Sequence, residues 1–190
     1  SDIQFLVRKE LLRFNNIFQT KGSAAILMNI DNGNILSLVS LPDFDPNKRE
    51  NIKDKNYINK ITKGVYELGS VFKTFTLAAA LDENLIEVDT KFENLEKSIN
   101  CGNNTIREYD KKIPKDLTAE EILIRSGNIG SVRIGQKIGV EKFKEFLTKI
   151  NVINKIDFDI DEIGVPISFK WGKCKLATTS FGHGITTTPL

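Results

Sequence analysis

Ser70 and Lys73 stand three residues apart, directly after Gly69 and at the head of an apolar run that passes through Phe72, Phe75 and Ala78-Ala79-Ala80. At a helix N-terminus, positions i and i+3 share one face a turn apart, so a lysine nitrogen reaches the serine hydroxyl. Free N–H groups of the first turn favour negative charge, which suits a developing alkoxide or oxyanion. Lysine ordinarily titrates near ~10.4 and is a poor base at neutral pH. Burial beside Phe72 and Phe75, or another cation nearby, lowers that value. A neutral Lys73 then takes the proton from Ser70, and the pair performs nucleophilic acyl transfer. Of the ten serines, only Ser70 has a lysine three residues on. Taken alone such a match arises readily by chance, and a structural reading outweighs the catalytic one. The preceding glycine and the buried helix that follows shift the balance towards chemistry.

A second hydroxyl with a nearby amide could assist such a pair. Ser-x-Asn occurs twice, as Ser98-Ile99-Asn100 and Ser126-Gly127-Asn128. The first lies in a polar, turn-rich stretch and reads as a plain turn. The second falls between two predicted helices, where a junction is buried and fixed as a catalytic serine and amide must be. Capping of the following helix by Ser126 or Asn128 is its bland reading, and stands level with the catalytic one.

His183, the only histidine, is flanked by two glycines. It could complete a Ser-His-acid triad, but Lys73 already serves Ser70, so a structural role is expected. Asp157, Asp159, Asp161 and Glu162 lack the spacing of an EF-hand loop and read as a solvated acidic loop. One histidine and no C-x-x-C exclude a structural zinc module, and no metal or cofactor is expected. Two cysteines cannot make a disulfide scaffold. Cys101 and Cys174 are expected as free thiols, with a bridge possible only in an oxidising compartment.

The elements that must position these groups follow from periodicity. Ile3, Val7, Leu11, Phe14 and Phe18 mark one face of a helix of about five turns. Ser23–Ile30 and Ile35–Leu41, joined by Asp31-Asn32-Gly33-Asn34, read as a hairpin of two strands buried on both faces. Pro42 and Pro46 end it, since proline cannot continue a ladder. Lys48–Lys63 is lysine-rich and reads as a solvated loop or helix face. A helix is expected over 70–85, and an irregular stretch over 90–114. Thr118-Ala119-Glu120-Glu121 is a capping box opening a short helix. Two more helices are expected over 128–138 and 141–150, then a loop to Gly172. Lys175–Leu190 reads as a strand or a helix start.

The chain of 190 residues is 40% hydrophobic and 27% charged, with net charge +2. That is an ordinary globular balance, without the basic excess of a nucleic-acid binder. No apolar run approaches the ~18 residues of a membrane span. Ser1–Thr20 has charges throughout and no leader pattern, so the protein is expected to be cytoplasmic or cut from a longer precursor.

In their order, these features resemble the transpeptidase domain of penicillin-binding proteins, which joins Ser-x-x-Lys, a Ser-x-Asn element and Lys-Thr-Gly. Further stretches carry the likeness: Gly22-Ser23-Ala24-Ala25, Leu41-Pro42-Asp43-Phe44-Asp45-Pro46-Asn47, Gly64-Val65-Tyr66-Glu67-Leu68-Gly69-Ser70, and Ser180-Phe181-Gly182-His183-Gly184-Ile185 with Thr188-Pro189-Leu190. Within the family the chain looks most like the monofunctional cell-division branch, the FtsI type. The resemblance implies an α+β fold with a central antiparallel sheet and flanking helices, and residues 1–190 as the N-terminal and helical part of one such domain. It implies Ser70 as acylated nucleophile, Lys73 as its base, Ser126 as proton relay to the leaving D-alanine, and Asn128 as holder of Lys73 and the substrate amide.

The implied reaction is D,D-transpeptidation of peptidoglycan stem peptides on a lipid-linked precursor during septum formation. β-Lactams would trap Ser70. Partners would be division-complex membrane proteins, not nucleic acid, and an inner-membrane anchor would hold a periplasmic catalytic domain. No Lys-Thr-Gly or Lys-Ser-Gly occurs, so the chain is expected to be a truncated half-site that acylates weakly or not at all. Three rivals stand beside this reading: an acyl-serine hydrolase such as a β-lactamase or D,D-carboxypeptidase, an inactive scaffold contacting division proteins, and a helical intracellular regulator.

Overall fold

A computed structural model describes residues 2–45, 47–48 and 57–190. The chain forms two compact units. One comprises Ser1–Tyr66, Lys155–Val165 and Thr188–Leu190; the other comprises Glu67–Asn154 and Pro166–Thr187. Among the described residues, helices and antiparallel strands make up an α+β fold, as the resemblance implies, with the strands in three separate pairs rather than one central sheet.

In the first unit, helix α1 (Asp2–Phe18) precedes the hairpin β1 (Ser23–Met28) and β2 (Ile35–Leu41). The hairpin turn closes by Gly33 N–H to the Asn29 carbonyl at 2.8 Å, with Gly33 at φ +74°. A positive φ at that position selects glycine. The Gln4 side chain of α1 donates to the Leu38 carbonyl at 2.8 Å and so ties helix to strand. Burial of the hairpin differs from expectation. In β2 only Ser37, Val39 and Leu41 are buried, and no residue of β1 is. Alternation marks a sheet covered on one face, here by α1, rather than a two-sided central strand pair. Ile61 and Thr62, predicted to be solvated, are buried. Gly164 N–H to the Thr62 carbonyl and Leu190 N–H to the Ile61 carbonyl bring the distant segments of this unit to them. Pro46 and residues 49–56 of the lysine-rich stretch lie outside the described residues.

The second unit is mostly helical. A 3₁₀ turn (Gly69–Phe72) runs into α2 (Lys73–Asp82). Then come β3 (Lys91–Phe92), β4 (Ser98–Cys101), β5 (Asn104–Arg107), β6 (Leu117–Thr118), α3 (Ala119–Ile124), α4 (Asn128–Ile138), α5 (Val140–Lys149) and α6 (Lys173–Thr179). β3 pairs with β6, and β4 with β5, both antiparallel. The stretch expected to be irregular therefore holds a hairpin, and Ser98-Ile99-Asn100 lies in β4 rather than in a turn. The lack of apolar alternation is what hid it, since only Ile106 in the eight hairpin residues is buried. The capping box is formed: the Glu121 N–H donates to Thr118 Oγ1 at 3.2 Å, and Thr118 N–H to Glu121 Oε2 at 2.9 Å.

α4 is the centre of this unit, with Ile129, Val132, Ile134 and Ile138 buried. It packs against α2 and α6. Small residues allow close approach: a Cβ at Gly130 would meet the Ile122 side chain of α3 at 2.6 Å, and one at Gly135 would run into the Ser180 side chain, just after α6. Phe72 and Phe143 pack edge to face beside it, with ring centroids 6.4 Å apart. Each such fully buried side chain contributes about 1.5–3 kcal/mol.

The cysteines correct the prediction of free thiols. Cys101 in β4 and Cys174 in α6 are joined by a disulfide, with Cα atoms 5.3 Å apart. The hairpin carries Cys101 there, so their proximity follows from an element the sequence reading lacked.

Candidate active site

α2 begins where Gly69, at φ +56°, turns the backbone into the 3₁₀ turn. Ser70 lies in that turn and is exposed, and its hydroxyl makes no hydrogen bond to another described residue. In 3₁₀ geometry positions i and i+3 eclipse one another, so Ser70 and Lys73 stand on one edge of the turn. The predicted regular helix thus starts three residues later, at Lys73.

Gly182 fixes this turn from outside. At φ +81°, its place for a Cβ is only 1.9 Å from the Gly69 carbonyl oxygen and 2.7 Å from Phe72 Cβ. No side chain fits there without moving the backbone that presents Ser70. Gly182→Ala is expected to cost about 3 kcal/mol through left-handed strain and overpacking. Urea denaturation measures it.

Lys73 is buried, with 2% of its surface exposed. Its Nζ donates to Ser126 Oγ at 2.9 Å, to Asn128 Oδ1 at 2.8 Å, and to the Ser126 carbonyl. Burial pushes its pKa down to about 8, and the negative charge of Glu108 offsets part of that fall. About a tenth of it is then neutral at pH 7, against under about 0.1% for an ordinary lysine. Three acceptors match the three donors of the ammonium. Once a proton is lost, the Ser126 hydroxyl can turn its own hydrogen towards the amine lone pair.

Ser126 owes its place to how α3 ends. Its N–H bonds the Leu123 carbonyl, and Gly127 N–H bonds the Ile122 carbonyl, each at 2.9 Å. With Ser126 at φ +52°, this is the Schellman arrangement, in which the left-handed residue is usually glycine. A serine there costs about 1 kcal/mol and belongs to the strain that functional sites retain. Neither Ser126 nor Asn128 caps α4, so that reading of the sequence is corrected. Gly127 holds the N-cap position and has no side chain to cap with.

Glu108, just after β5, does the capping instead. Its Oε2 accepts from Asn128 N–H at 2.7 Å and its Oε1 from Ile129 N–H at 2.8 Å. The amide of Asn128 is held at both ends, since Nδ2 donates to the Arg107 carbonyl at 3.0 Å while Oδ1 accepts from Lys73. The structure thus gathers Lys73, Ser126 and Asn128 into one cluster, one turn after Ser70. Sequence reasoning missed Glu108, which stands 20 residues before Asn128 and carries no local signal.

His183 pairs with Glu67 at 3.4 Å and not with Ser70. Its ring lies parallel to that of Phe181, centroids 6.1 Å apart. Among the described residues, no three or more His, Cys, Asp or Glu side chains gather to hold a metal. No described helix is long and apolar enough to cross a membrane.

A family model described as the penicillin binding protein transpeptidase domain matches residues 23–190. The chain is 30% identical over 189 residues to the probable peptidoglycan D,D-transpeptidase FtsI of Caulobacter vibrioides, covering 99% of this chain and 32% of that protein. It is 30% identical over 196 residues to the stage V sporulation protein D of Bacillus subtilis, covering 100% of this chain and 30% of that protein. The chain therefore spans about a third of the length of these curated relatives. Among solved structures, the apo TP domain of Burkholderia pseudomallei penicillin-binding protein 3 superposes with a TM-score of 0.83 at 23% identity, over 98% of this chain and 52% of that one. A peptidoglycan glycosyltransferase from Burkholderia ambifaria superposes with a TM-score of 0.84 at 23% identity, over 98% and 55%. The last two matches establish a shared fold.

Proposed function

Because the chain belongs to the penicillin-binding protein transpeptidase family, we propose that it supplies the nucleophile half of a peptidoglycan D,D-transpeptidase of septal wall synthesis. The observation that carries this reading is the buried Lys73 amine, held by Ser126 and Asn128 one turn after an exposed serine. Curated relatives named as D,D-transpeptidases support the substrate class.

The reaction runs as follows. Ser70 Oγ attacks the carbonyl of the penultimate D-alanine of a stem peptide and passes its proton to Lys73 Nζ. The backbone N–H at the head of the helix stabilises the oxyanion. The C–N bond breaks, and Ser126 relays a proton to the departing D-alanine amine. An amine of a neighbouring stem peptide then attacks the acyl-serine and gives up a proton to Lys73, which passes it to Ser70 Oγ as the ester C–O bond breaks. Asn128 holds Lys73 and the substrate amide during both steps. A cation for the terminal carboxylate and a second oxyanion N–H are also needed, and no Lys-Thr-Gly within residues 1–190 supplies them. β-Lactams follow the first half of this path and stop there. An inner-membrane anchor, a periplasmic site and division-complex membrane partners belong to the same proposal, on the resemblance alone.

The test is intact mass after incubation with benzylpenicillin, on residues 1–190 and on the full-length protein, followed by peptide mapping. The expected result is one adduct per full-length molecule on the peptide containing Ser70, with slower or no labelling of residues 1–190. An adduct on another residue overturns the site. Steady turnover of a chromogenic cephalosporin would make the protein a hydrolase, and a folded full-length protein that never labels would make it a scaffold.

A further inference from the structure

We propose that Glu108 is a positioning residue of this acylation site, one whose carboxylate clips the first turn of α4 so that Ser126 and Asn128 stay aimed at Lys73. The inference deepens the acyl-serine reading and rests on it. Three observations carry it. Both carboxylate oxygens are committed to consecutive N–H groups, those of Asn128 and Ile129. Those groups would otherwise be unpaired, because Gly127 at the N-cap offers no side chain. The residue before it, Arg107, supplies the carbonyl that orients the Asn128 amide. One short segment after β5 therefore sets the backbone and the side chain of the residue that holds the base.

The carboxylate has a second effect that an uncharged cap would lack. It acts on Lys73 through space and keeps more of it protonated than burial alone would. The other groups bonded to Lys73, Ser126 and Asn128, are neutral. On its other side Glu108 lines a groove of about 380 Å³ with Lys97, Arg107, Lys111 and Lys115, and with the anions Glu96 and Asp110. Glu108 thus stands between a basic groove and the buried amine.

The test measures the rate of acylation by a fluorescent penicillin across pH 5.5–9.5, in the full-length protein, with the labelled fraction counted at the end point. Glu108→Gln keeps one acceptor oxygen and removes the charge. Its rate on the alkaline plateau is expected to fall about tenfold as the cluster loosens. The midpoint of the acidic limb is expected to move to lower pH, because Lys73 loses the anion that favours its charged form. Glu108→Asp keeps the charge with a shorter reach, and should restore the midpoint while leaving the plateau low. Wild-type rate and midpoint in Glu108→Gln would overturn the proposal. So would a loss that only tracks the labelled fraction with an unmoved midpoint, since that is a structural cap and nothing more. If Glu108→Gln yields no folded protein, Glu108→Asp decides, and an unchanged plateau overturns the proposal. Absence of any wild-type label at Ser70 is a different failure, which removes the acyl-serine reading and this inference with it.

Discussion

Lys73→Met is expected to slow acylation of Ser70 by about a thousandfold, the usual worth of a positioned general base. Methionine matches the length of the lysine stem, so the packing around α2 stays filled. Ser126 and Asn128 lose their donor, but both are only half-buried and water can reach them. The variant should therefore fold. Its stability carries a pH signature. The folded pKa of Lys73 lies near 8, below the ordinary value of an unfolded chain. Between about pH 8 and pH 10.4 the unfolded chain holds the extra proton, so this group's contribution rises with pH across that window and is flat, at its least favourable, below it. The stability of wild type relative to Lys73→Met should climb by about 3 kcal/mol over that range. Paired denaturation curves at pH 7 and pH 10.5 measure it. A difference that does not change with pH would mean that Lys73 is not buried as a perturbed amine.

Reduction of Cys101–Cys174 is expected to cost about 4 kcal/mol in a chain-entropy account. The bridge spans 73 residues, and releasing a loop of that size enlarges the unfolded ensemble accordingly. Cys174 is exposed, so a reductant has access. The consequence should concentrate in the β4–β5 hairpin. Its strands otherwise bury little, and the bridge ties β4 to α6. Because Glu108 follows β5 directly, loosening that hairpin should also release the first turn of α4. Hydrogen exchange with and without reductant reads both effects: faster exchange at 98–108 and at 128–129, with α2 little changed. Equal denaturation midpoints in the two conditions would show that the thiols are not bridged in solution.

What the sequence made legible was what neighbouring residues decide among themselves. The Thr118–Glu121 box, the Gly33 turn, the α4 span and the spacing of Ser70 from Lys73 all depend on a handful of adjacent positions. Ser126 and Asn128 were found because they sit together at a helix junction. Two kinds of feature escaped. One is geometry that breaks a local preference: Ser126 occupies a left-handed position that usually takes glycine, and nothing in Arg125-Ser126-Gly127 announces which of the two small residues turns the chain. The other is pairing across distance. Cys101 meets Cys174 only because a hairpin with one buried residue exists, and that hairpin shows no apolar alternation. Glu108 reads as one more charge in a polar stretch until β5 delivers it to α4. Burial of the first hairpin was over-read for the complementary reason, since an apolar strand does not reveal how many of its faces a neighbour covers.

The division of the chain has a consequence for biosynthesis. Residues 67–187, interrupted at 155–165, make one unit, and the other closes only with 188–190. Neither is finished when the ribosome has delivered residue 154. Ser70, Lys73, Ser126 and Asn128 have all been added by then, yet α6 and Cys174 have not. The nascent chain must wait for its later residues before either unit is whole, so neither unit is expected to fold stepwise from the amino end.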